Sequence, residues 1–407
     1  MGNLTLVQVN SVNYGSTGGI MIHIGEMLKT QGGTCYYALP NSLENRKKSL
    51  AKVINIGTRF DRKIHRKLGK YFGLHGYFSI ISTFIFLSTL NKIHPDIIHL
   101  HNLHIDYVNL PLLFWYLKRK KVIVVWTLHD CWAFTGQCPH FSAVGCTKWK
   151  TGCFACPQYR EYPESKIDIT KFMYKMKKNW FTGLSNVTLV TPSYWLARCV
   201  HDSFLSEYPV KVIANGVDLE VFKPVTSSFC AQNECEDKYV VLGVSLGWNY
   251  KKGLDIFIDL ANILPDDFQI VLVGLSEEQK KQVPENCILL GPTTNVEELV
   301  SIYSAADIFL NPSKEETMGL VTVEALACGT PVIVSNLTAV PEIVTPECGI
   351  VVTEYSSEAF ALEIRKKPKF SLEQCRKQAY KYEKQSKFKE YLDLYSSIAK
   401  ISMKEEW

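Results

Sequence analysis

The sequence predicts an α/β protein made of two doubly wound, Rossmann-like domains facing each other across a cleft. Three observations carry that expectation. Short apolar runs bounded by turn residues alternate with helix-length amphipathic segments, in two successive series. The chain has 407 residues, enough for two cores of ordinary size. Charge is unevenly divided: residues 1–207 carry 25 Lys and Arg against 11 Asp and Glu, the rest is net acidic, and the whole is +5. All ten histidines also lie in the first part. Halves of opposite charge suit two domains with different partners.

In the first series LTLVQVN (4–10), DIIHLHN (96–102), VIVVWTLHD (122–130) and VTLVTPS (187–193) read as buried parallel strands, being short, β-branched and bounded by turn residues. GIMIHIGEMLKTQGG (19–33) and WLARCVHDSFL (195–205) read as helices. The second series has strands at 239–245, 268–274, 287–291, 307–313 and 331–335, with helices at 253–264, 295–306 and 319–329. The domains are assigned as 1–207 and 208–384, with the seam expected near the polar SSFCAQNECEDK (227–238). KEYLDLYSSIAKISMKEEW has a helical period, and 385–407 is expected to pack back on the first domain.

Composition bounds the function. With 46% hydrophobic and 21% charged residues and no low-complexity tract, the chain reads as an ordinary folded protein. No nucleic-acid-binding motif accompanies the basic half, so an anionic membrane or a phosphorylated substrate is the expected partner, and nucleic acid is not. MGNLTLVQVN lacks a basic n-region and a cleavage site, and 13 cysteines without a signal sequence fit a reducing cytoplasm. YFSIISTFIFLSTL (77–90) is too short to span a bilayer. It is either a buried helix or an interfacial one, since the strongly basic RFDRKIHRKLGK (59–70) precedes it.

In open α/β sheets ligands bind beyond the carboxyl ends of the strands. Four polar clusters fall there: NYGSTGGI, the HD of 129–130, GWNYKKG and PSKEETMG. GSTGG (15–19) is a Gly-rich turn before a helix, either a tight turn or an approach to an anion. Lys251 and Lys252 before Gly253 are either an exposed basic turn or point charges for a diphosphate. His129 and Asp130 end an apolar strand, and we read them as part of a site. Glu316 and Glu324 flank TMGLVTV, each against an apolar run where an unpaired carboxylate is costly to bury; the plain alternative is a helix start, with Glu315 and Glu316 near the positive end of the dipole and Glu324 an ordinary helical residue.

Between 131 and 157 an irregular excursion carries Cys131, Cys138, Cys146, Cys153 and Cys156. The final C-x2-C suits metal binding from a tight turn, and Cys138, Cys146, Cys153 and Cys156 are expected to hold a structural zinc, with Cys131 outside. The alternative is a set of free thiols, with His140 a substitute ligand; an iron–sulfur cluster or a redox role for CFAC is less favoured.

VKVIANGVDLEVFKP, KKGLD, YSAADIFLNPS and EETMGLVTVEALACGTPVIVS with VPEIV closely resemble the retaining glycosyltransferases of family 4, which have the GT-B fold. The resemblance covers most of the chain and is strongest over 187–345. TLHDCWAFTGQC with the later GC and CP pairs resembles a bacterial subset that builds capsular and exopolysaccharides. It implies that Glu316 holds hydroxyls of the donor sugar and Glu324 the ribose of the nucleotide, and that Met318, Gly319, Leu320 and Val321 offer backbone N–H groups. His129 is then the cleft histidine near the donor sugar, and Gly18 and Gly19 the loop against the phosphates. Where the family usually has an arginine several residues before Lys-Gly, this stretch is SLGWNYKKG; Lys252 matches the family lysine and Lys251 stands in for the missing charge.

The implied activity is transfer of a sugar from a nucleoside diphosphate sugar to a saccharide or lipid-linked acceptor, with retention of configuration and no metal or cofactor for the chemistry. The first domain would take the acceptor and the second the donor. An anionic membrane surface, the inner face of the cell membrane, would be a further partner. A nucleotide-sugar epimerase of the same fold would turn over donor without acceptor, and an inactive nucleotide-sugar-binding protein would bind without releasing sugar.

Overall fold

In a computed structural model the structure describes residues 4–46, 50–293 and 295–405. Two sheets organise them, each wholly parallel. The first contains β1 (Thr5–Val9), β2 (Thr34–Pro40), β3 (Val53–Ile56), β4 (Ile97–Leu100), β5 (Ile123–Thr127), β6 (Val187–Thr191) and β7 (Val210–Val212). Its order is β3-β2-β1-β4-β5-β6-β7. The second contains β8 (Tyr239–Val244), β9 (Phe268–Val273), β10 (Ile288–Leu290), β11 (Ile308–Asn311), β12 (Val332–Ser335) and β13 (Gly349–Val352), in the order β10-β9-β8-β11-β12-β13. In each the chain winds outward from one strand, then returns to pair on its other side: β4 beside β1, β11 beside β8. That reversal opens a crevice at the carboxyl ends of the two neighbours, where α/β proteins bind ligands.

The chain divides into unit one, up to Ile213 and again from Lys387, and unit two, Ala214–Ser386. The division after 207 moves because β7 pairs with β6, Leu189 opposite Val210. Nor is 227–238 a seam: Phe229 and Cys235 are buried in the core of unit two. Both faces of the unit one sheet are covered, which is why its strands read as apolar runs. Val7, Ile98, Val124 and Trp126 face Phe114, Leu117 and Phe181; Leu6, Ile97 and Val125 face Ile24, Leu28 and three residues of the helix Lys384–Glu405, Tyr391, Leu392 and Tyr395.

Several elements escaped the reading of periodicity. β2 is carried by TCYYALP, without a Val or Ile, and β3 and β13 are four-residue strands at sheet edges. GSTGG is no turn before the helix: it forms the first residues of the helix Gly15–Thr30. The basic run 59–70 lies in the helix Arg59–Phe72, where the Thr58 side chain accepts from Asp61 N–H and Gly73 (φ 71°) closes the end on the Gly69 carbonyl. The apolar 77–90 overlaps the helix Ile80–Ile93 and is half of each alternative. Thr83, Phe86, Leu87 and Leu90 are buried, whereas Ile81, Phe84 and Ile85 are 76%, 52% and 63% exposed.

Candidate active site

Unit two builds its site at the β8/β11 reversal. After β8 the Asn249 side chain accepts from the N–H groups of Lys251 and Lys252, at 2.9 and 3.2 Å. Gly253 (φ 76°) then starts the helix Leu254–Ile263. A Cβ on Gly253 would meet Pro312 at 2.5 Å, so glycine lets the turn after β8 lie against the turn after β11. Lys252 Nζ reaches Glu316 Oε1 at 2.6 Å and the Glu315 carbonyl at 3.3 Å. Lys251 Nζ stands 3.6 Å from the buried Glu315 carboxylate. The Ser313 hydroxyl donates to Glu316 Oε1 at 3.4 Å, and Glu316 N–H donates to Thr338 Oγ1 at 3.1 Å.

The chain then passes Met318, buried, with its sulfur accepting from Asn215 N–H at 3.1 Å. Gly319 (φ 92°) opens the helix Leu320–Ala327 with no side-chain cap. Donors at an uncapped helix start suit an anion, and the dipole adds to the attraction. Glu324 lies on that helix, partly buried, with Tyr303 donating to Oε2 at 3.1 Å. Burial pushes its carboxyl up to about 7 although the tyrosine bond works the other way. Lys251, Lys252 and Glu316 are thus brought together, while Glu324 has a partner of its own. Ser313 and Tyr303 were not anticipated, and Glu315 only as part of a helix start; the doubled KK and EE were the available signal for its pairing with Lys251.

Unit one builds at its own reversal, from residues far apart in sequence. His101 follows β4 and bridges Gln8 Oε1 and His129 Nε2, each at 3.1 Å. The Gln8 amide nitrogen donates to the Met21 carbonyl at 2.7 Å, so its oxygen accepts from His101 Nε2–H. His101 Nδ1 is then the acceptor for His129 Nε2–H. The two rings stack at 5.4 Å and 13°. Burial lowers the pKa of both, His129 to about 4, against the pull of Asp130. His99, one strand repeat away, sits between Thr127 Oγ1 (2.8 Å) and Tyr395 OH (2.6 Å). Asp130 takes a separate path: it accepts from Trp132 N–H at 2.8 Å and pairs with His104 at 3.0 Å, and His104 reaches Tyr162 OH at 2.8 Å. Burial alone would raise the Asp130 pKa, but His104 and that N–H bring it to about 2.

Gly18 faces Asn13, where a Cβ would stand 2.5 Å from the Asn13 carbonyl carbon; around Gly19 there is open space. The glycine at 18 therefore serves close packing of the helix start on the preceding loop. Gln8, His101, His104 and Tyr162 were missed. The His-x-His of DIIHLHN, two imidazoles on one face of an apolar strand, was the available signal.

In the cysteine excursion the Cys138 and Cys156 thiols act on each other, which lowers Cys156 to about 7 and, with burial, pushes Cys138 up. Cys153 accepts from Gly136 N–H at 3.2 Å. Beside them Lys177 is fully buried, its ammonium donating to the Trp132 carbonyl and lying 3.6 Å above that indole ring. Among the described residues no three of His, Cys, Asp and Glu are placed to hold a metal ion, so the four expected ligands do not form a metal-ready set as they stand.

Two family models match the chain. Residues 38–221 match Glycosyltransferase Family 4, and residues 238–366 match Glycosyl transferases group 1; together they span more than half of it. The chain belongs to the GT-B glycosyltransferases of this family. WcaC of Escherichia coli (strain K12), named as a colanic acid biosynthesis glycosyl transferase, is 26% identical over 75% of this chain and 77% of its own. Sucrose-phosphate synthase from Thermosynechococcus elongatus superposes with a TM-score of 0.70 at 18% identity, covering 97% of this chain and 99% of that one. Anabaena HepE, solved with UDP and glucose, gives 0.67 at 17% identity, over 97% of this chain and all of its own.

Proposed function

We propose that the protein moves a sugar from a nucleoside diphosphate sugar to a hydroxyl of a saccharide acceptor, with retention, in the assembly of a surface polysaccharide. The observation that carries the reading is in unit two: Lys251 and Lys252 held against Glu315 and Glu316, four residues before an uncapped helix start. This arrangement suits a sugar diphosphate. The lysines and helix N–H groups would take the diphosphate oxygens, Glu316 the sugar hydroxyls and Glu324 the ribose. In the reaction the bond from the anomeric carbon to the diphosphate breaks, and the acceptor oxygen bonds that carbon on the same face. The acceptor proton passes to the departing phosphate oxygen. Charge developing on the diphosphate is stabilised by groups already in place. Unit one would take the acceptor, with His129 neutral as a hydrogen-bonding group near the sugar. The HepE complex with UDP and glucose and the naming of WcaC for colanic acid support the donor and the pathway class.

Thermal unfolding with a panel of nucleotide sugars, followed by an assay of sugar transfer to lipid diphosphate-linked saccharides, tests the reading. Stabilisation by one nucleotide sugar and acceptor-dependent release of nucleoside diphosphate are expected. Release of an epimer without acceptor, or binding with no turnover, would replace it.

The setting we propose is the inner face of the cell membrane. Among the described residues no helix is long and apolar enough to cross a bilayer. The Arg59–Phe72 helix exposes Phe60 and Ile64 and carries Arg59, Lys63, Lys67 and Lys70; the Ile80–Ile93 helix exposes Ile81, Phe84 and Ile85. Apolar side chains flanked by cations suit an anionic interface.

A structural zinc in the excursion remains our proposal. Four thiols share one short segment beside a buried ammonium that makes no ion pair with a described carboxylate, and a tetrathiolate zinc would supply its counter-charge. Cys146 and Cys153 would have to close on the Cys138–Cys156 pair. About one zinc per chain is expected by elemental analysis of protein purified without chelator; metal-free protein that is fully folded rejects it.

A further inference from the structure

The Arg59–Phe72 helix carries two guanidiniums whose charges act on residues at the binding end of unit one. Arg62 and Arg66 stand four residues apart, on one side of the helix, where like charges repel. Arg62 is partly buried, and its Nε is enclosed without a hydrogen-bond partner. Neither guanidinium makes an ion pair with a described residue, whereas Lys70 on the same helix pairs with Glu164 at 2.6 Å. The buried carboxylates nearby are engaged by histidines: Asp106 with His75 at 3.1 Å and His65 at 3.5 Å, Asp130 with His104 at 3.0 Å. Glu44 and Asp106 act on Arg62 only through their fields.

Location says what the pair faces. Arg62 lies in the field of Tyr14, the residue that opens the helix after β1, and Tyr162 lies in the field of both arginines. Tyr162 is bonded to His104, and His104 to Asp130, the neighbour of His129. The arginines thus stand among loops that follow β1, β4 and β5, where a ligand of this sheet would bind. An enclosed guanidinium N–H with no partner is costly, and planar guanidinium forks match phosphate oxygens.

We propose that Arg62 and Arg66 form an oxyanion subsite of unit one that holds a diphosphate group of the acceptor. The proposal rests on the reading that unit one takes the acceptor. A membrane lipid phosphate offers the same chemistry, so the test separates the two sources.

Inorganic pyrophosphate is titrated calorimetrically into the full-length protein and into R62Q, R66Q and K252M. The wild type should take up two pyrophosphates per chain. R62Q and R66Q should each weaken one of them roughly tenfold or more, and K252M the other. Arg66 is exposed, so R66Q, with its unfolding temperature checked against wild type, decides if R62Q folds poorly. A single pyrophosphate site, lost in K252M and unchanged in R66Q, overturns the subsite and leaves the donor reading of unit two standing. Pyrophosphate uptake that survives K252M but not R66Q, with UDP and the other nucleoside diphosphates failing to bind, overturns the donor reading while the subsite stands. In the last arm, phosphatidylglycerol vesicles replace pyrophosphate. If R66Q loses vesicle binding but keeps both pyrophosphates, the pair reads a lipid headgroup and the acceptor assignment fails.

Discussion

The two strand-order reversals do the same topological job with opposite electrostatics. In unit two, β8 and β11 bring together ions: two ammoniums, two carboxylates and an uncapped helix start. In unit one, β1, β4 and β5 bring together neutral dipoles, Gln8, His101 and His129 in a hydrogen-bonded row with depressed imidazole pKa values. Charges suit a ligand that arrives as a dianion and leaves with more charge than it brought. Neutral imidazoles suit hydroxyls, which need acceptors and donors but no counter-ion. The same fold serves both because only the residues just beyond the strands differ.

The largest effect should come from the carboxylate at the ionic crevice. Glu316→Gln keeps the size and most hydrogen bonds but removes the charge paired with Lys252 at 2.6 Å. Transfer should fall on the order of 10²-fold or more, the scale of losing one aligned polar group in a reaction centre. Nucleoside diphosphate affinity, measured by calorimetry, should stay nearly unchanged. Transfer close to the wild-type rate would remove Glu316 from the centre and dissolve the contrast between the crevices.

Next comes stability against pH, where the units should respond in opposite directions. His129 has its pKa lowered from 6.5 to about 4, so between those values the unfolded chain binds more protons, and stability falls as pH drops from 6.5 toward 4. Glu324 has its pKa raised from 4.5 to about 7, so there the folded chain binds more protons, and stability falls as pH rises from 4.5 toward 7. Each contribution is on the order of 3 kcal/mol. Unit two holds no histidine to mask its trend. Urea unfolding across this range, followed by hydrogen exchange in each unit, should show unit one gaining protection and unit two losing it. E324Q should flatten the second slope alone. Parallel slopes in the two units would break the comparison.

The contrast also explains what the sequence showed. The ionic site was legible because its parts are local: KKG lies at 251–253 and the glutamates fall within SKEETMGLVTVE. The parallel sheets were legible wherever strands are buried on both faces. The neutral site was legible only at His129, with Asp130 beside it on its own path. Gln8 sits inside a strand that looks ordinary, and its role depends on β4 pairing beside β1, a fact of strand order that no local window carries. Tyr162 and Arg62 depend in the same way on loops meeting. The boundary near 213 was misplaced because β7 is three residues of an edge strand, visible only through its pairing with β6.

Glu324 allows a finer test inside unit two. If its carboxylate accepts from ribose hydroxyls, the nucleotide binds the ionised form better, and affinity should rise with pH through about 7. Glu324→Ala should weaken nucleotide binding by roughly 1–3 kcal/mol, the value of a charged hydrogen bond lost in a buried place. The wild-type pH dependence should vanish in E324Q. A nucleoside diphosphate affinity indifferent both to the substitution and to pH would assign Glu324 to the Tyr303 bond alone.

The smallest effects per residue, and the most widely spread, belong to the outer face of unit one. Phe60, Ile64, Ile81, Phe84 and Ile85 are all exposed by 41% or more, on two helices consecutive in the chain. A buried helix would not leave Ile81 at 76%, and a purely solvated one would not carry three such side chains on one face. Beside them Arg59, Lys63 and Lys67 can each add about 1 kcal/mol near an anionic surface, while Lys70 is paired with Glu164. No single residue localises the protein; the sum does. Co-sedimentation with phosphatidylglycerol vesicles should therefore be strong at low salt and weaken toward about 0.5 M, as the Debye length shortens. Lys63→Glu together with Lys67→Glu should shift the curve to lower salt, and Ile81→Ser with Ile85→Ser should lower binding at every salt, since apolar insertion is not screened. Unit two, net acidic, supplies the internal contrast: acidic substitutions there should leave vesicle binding unchanged. If the protein stays in the supernatant with anionic vesicles even at low salt, the outer face has no membrane role and the acceptor must be reached in solution.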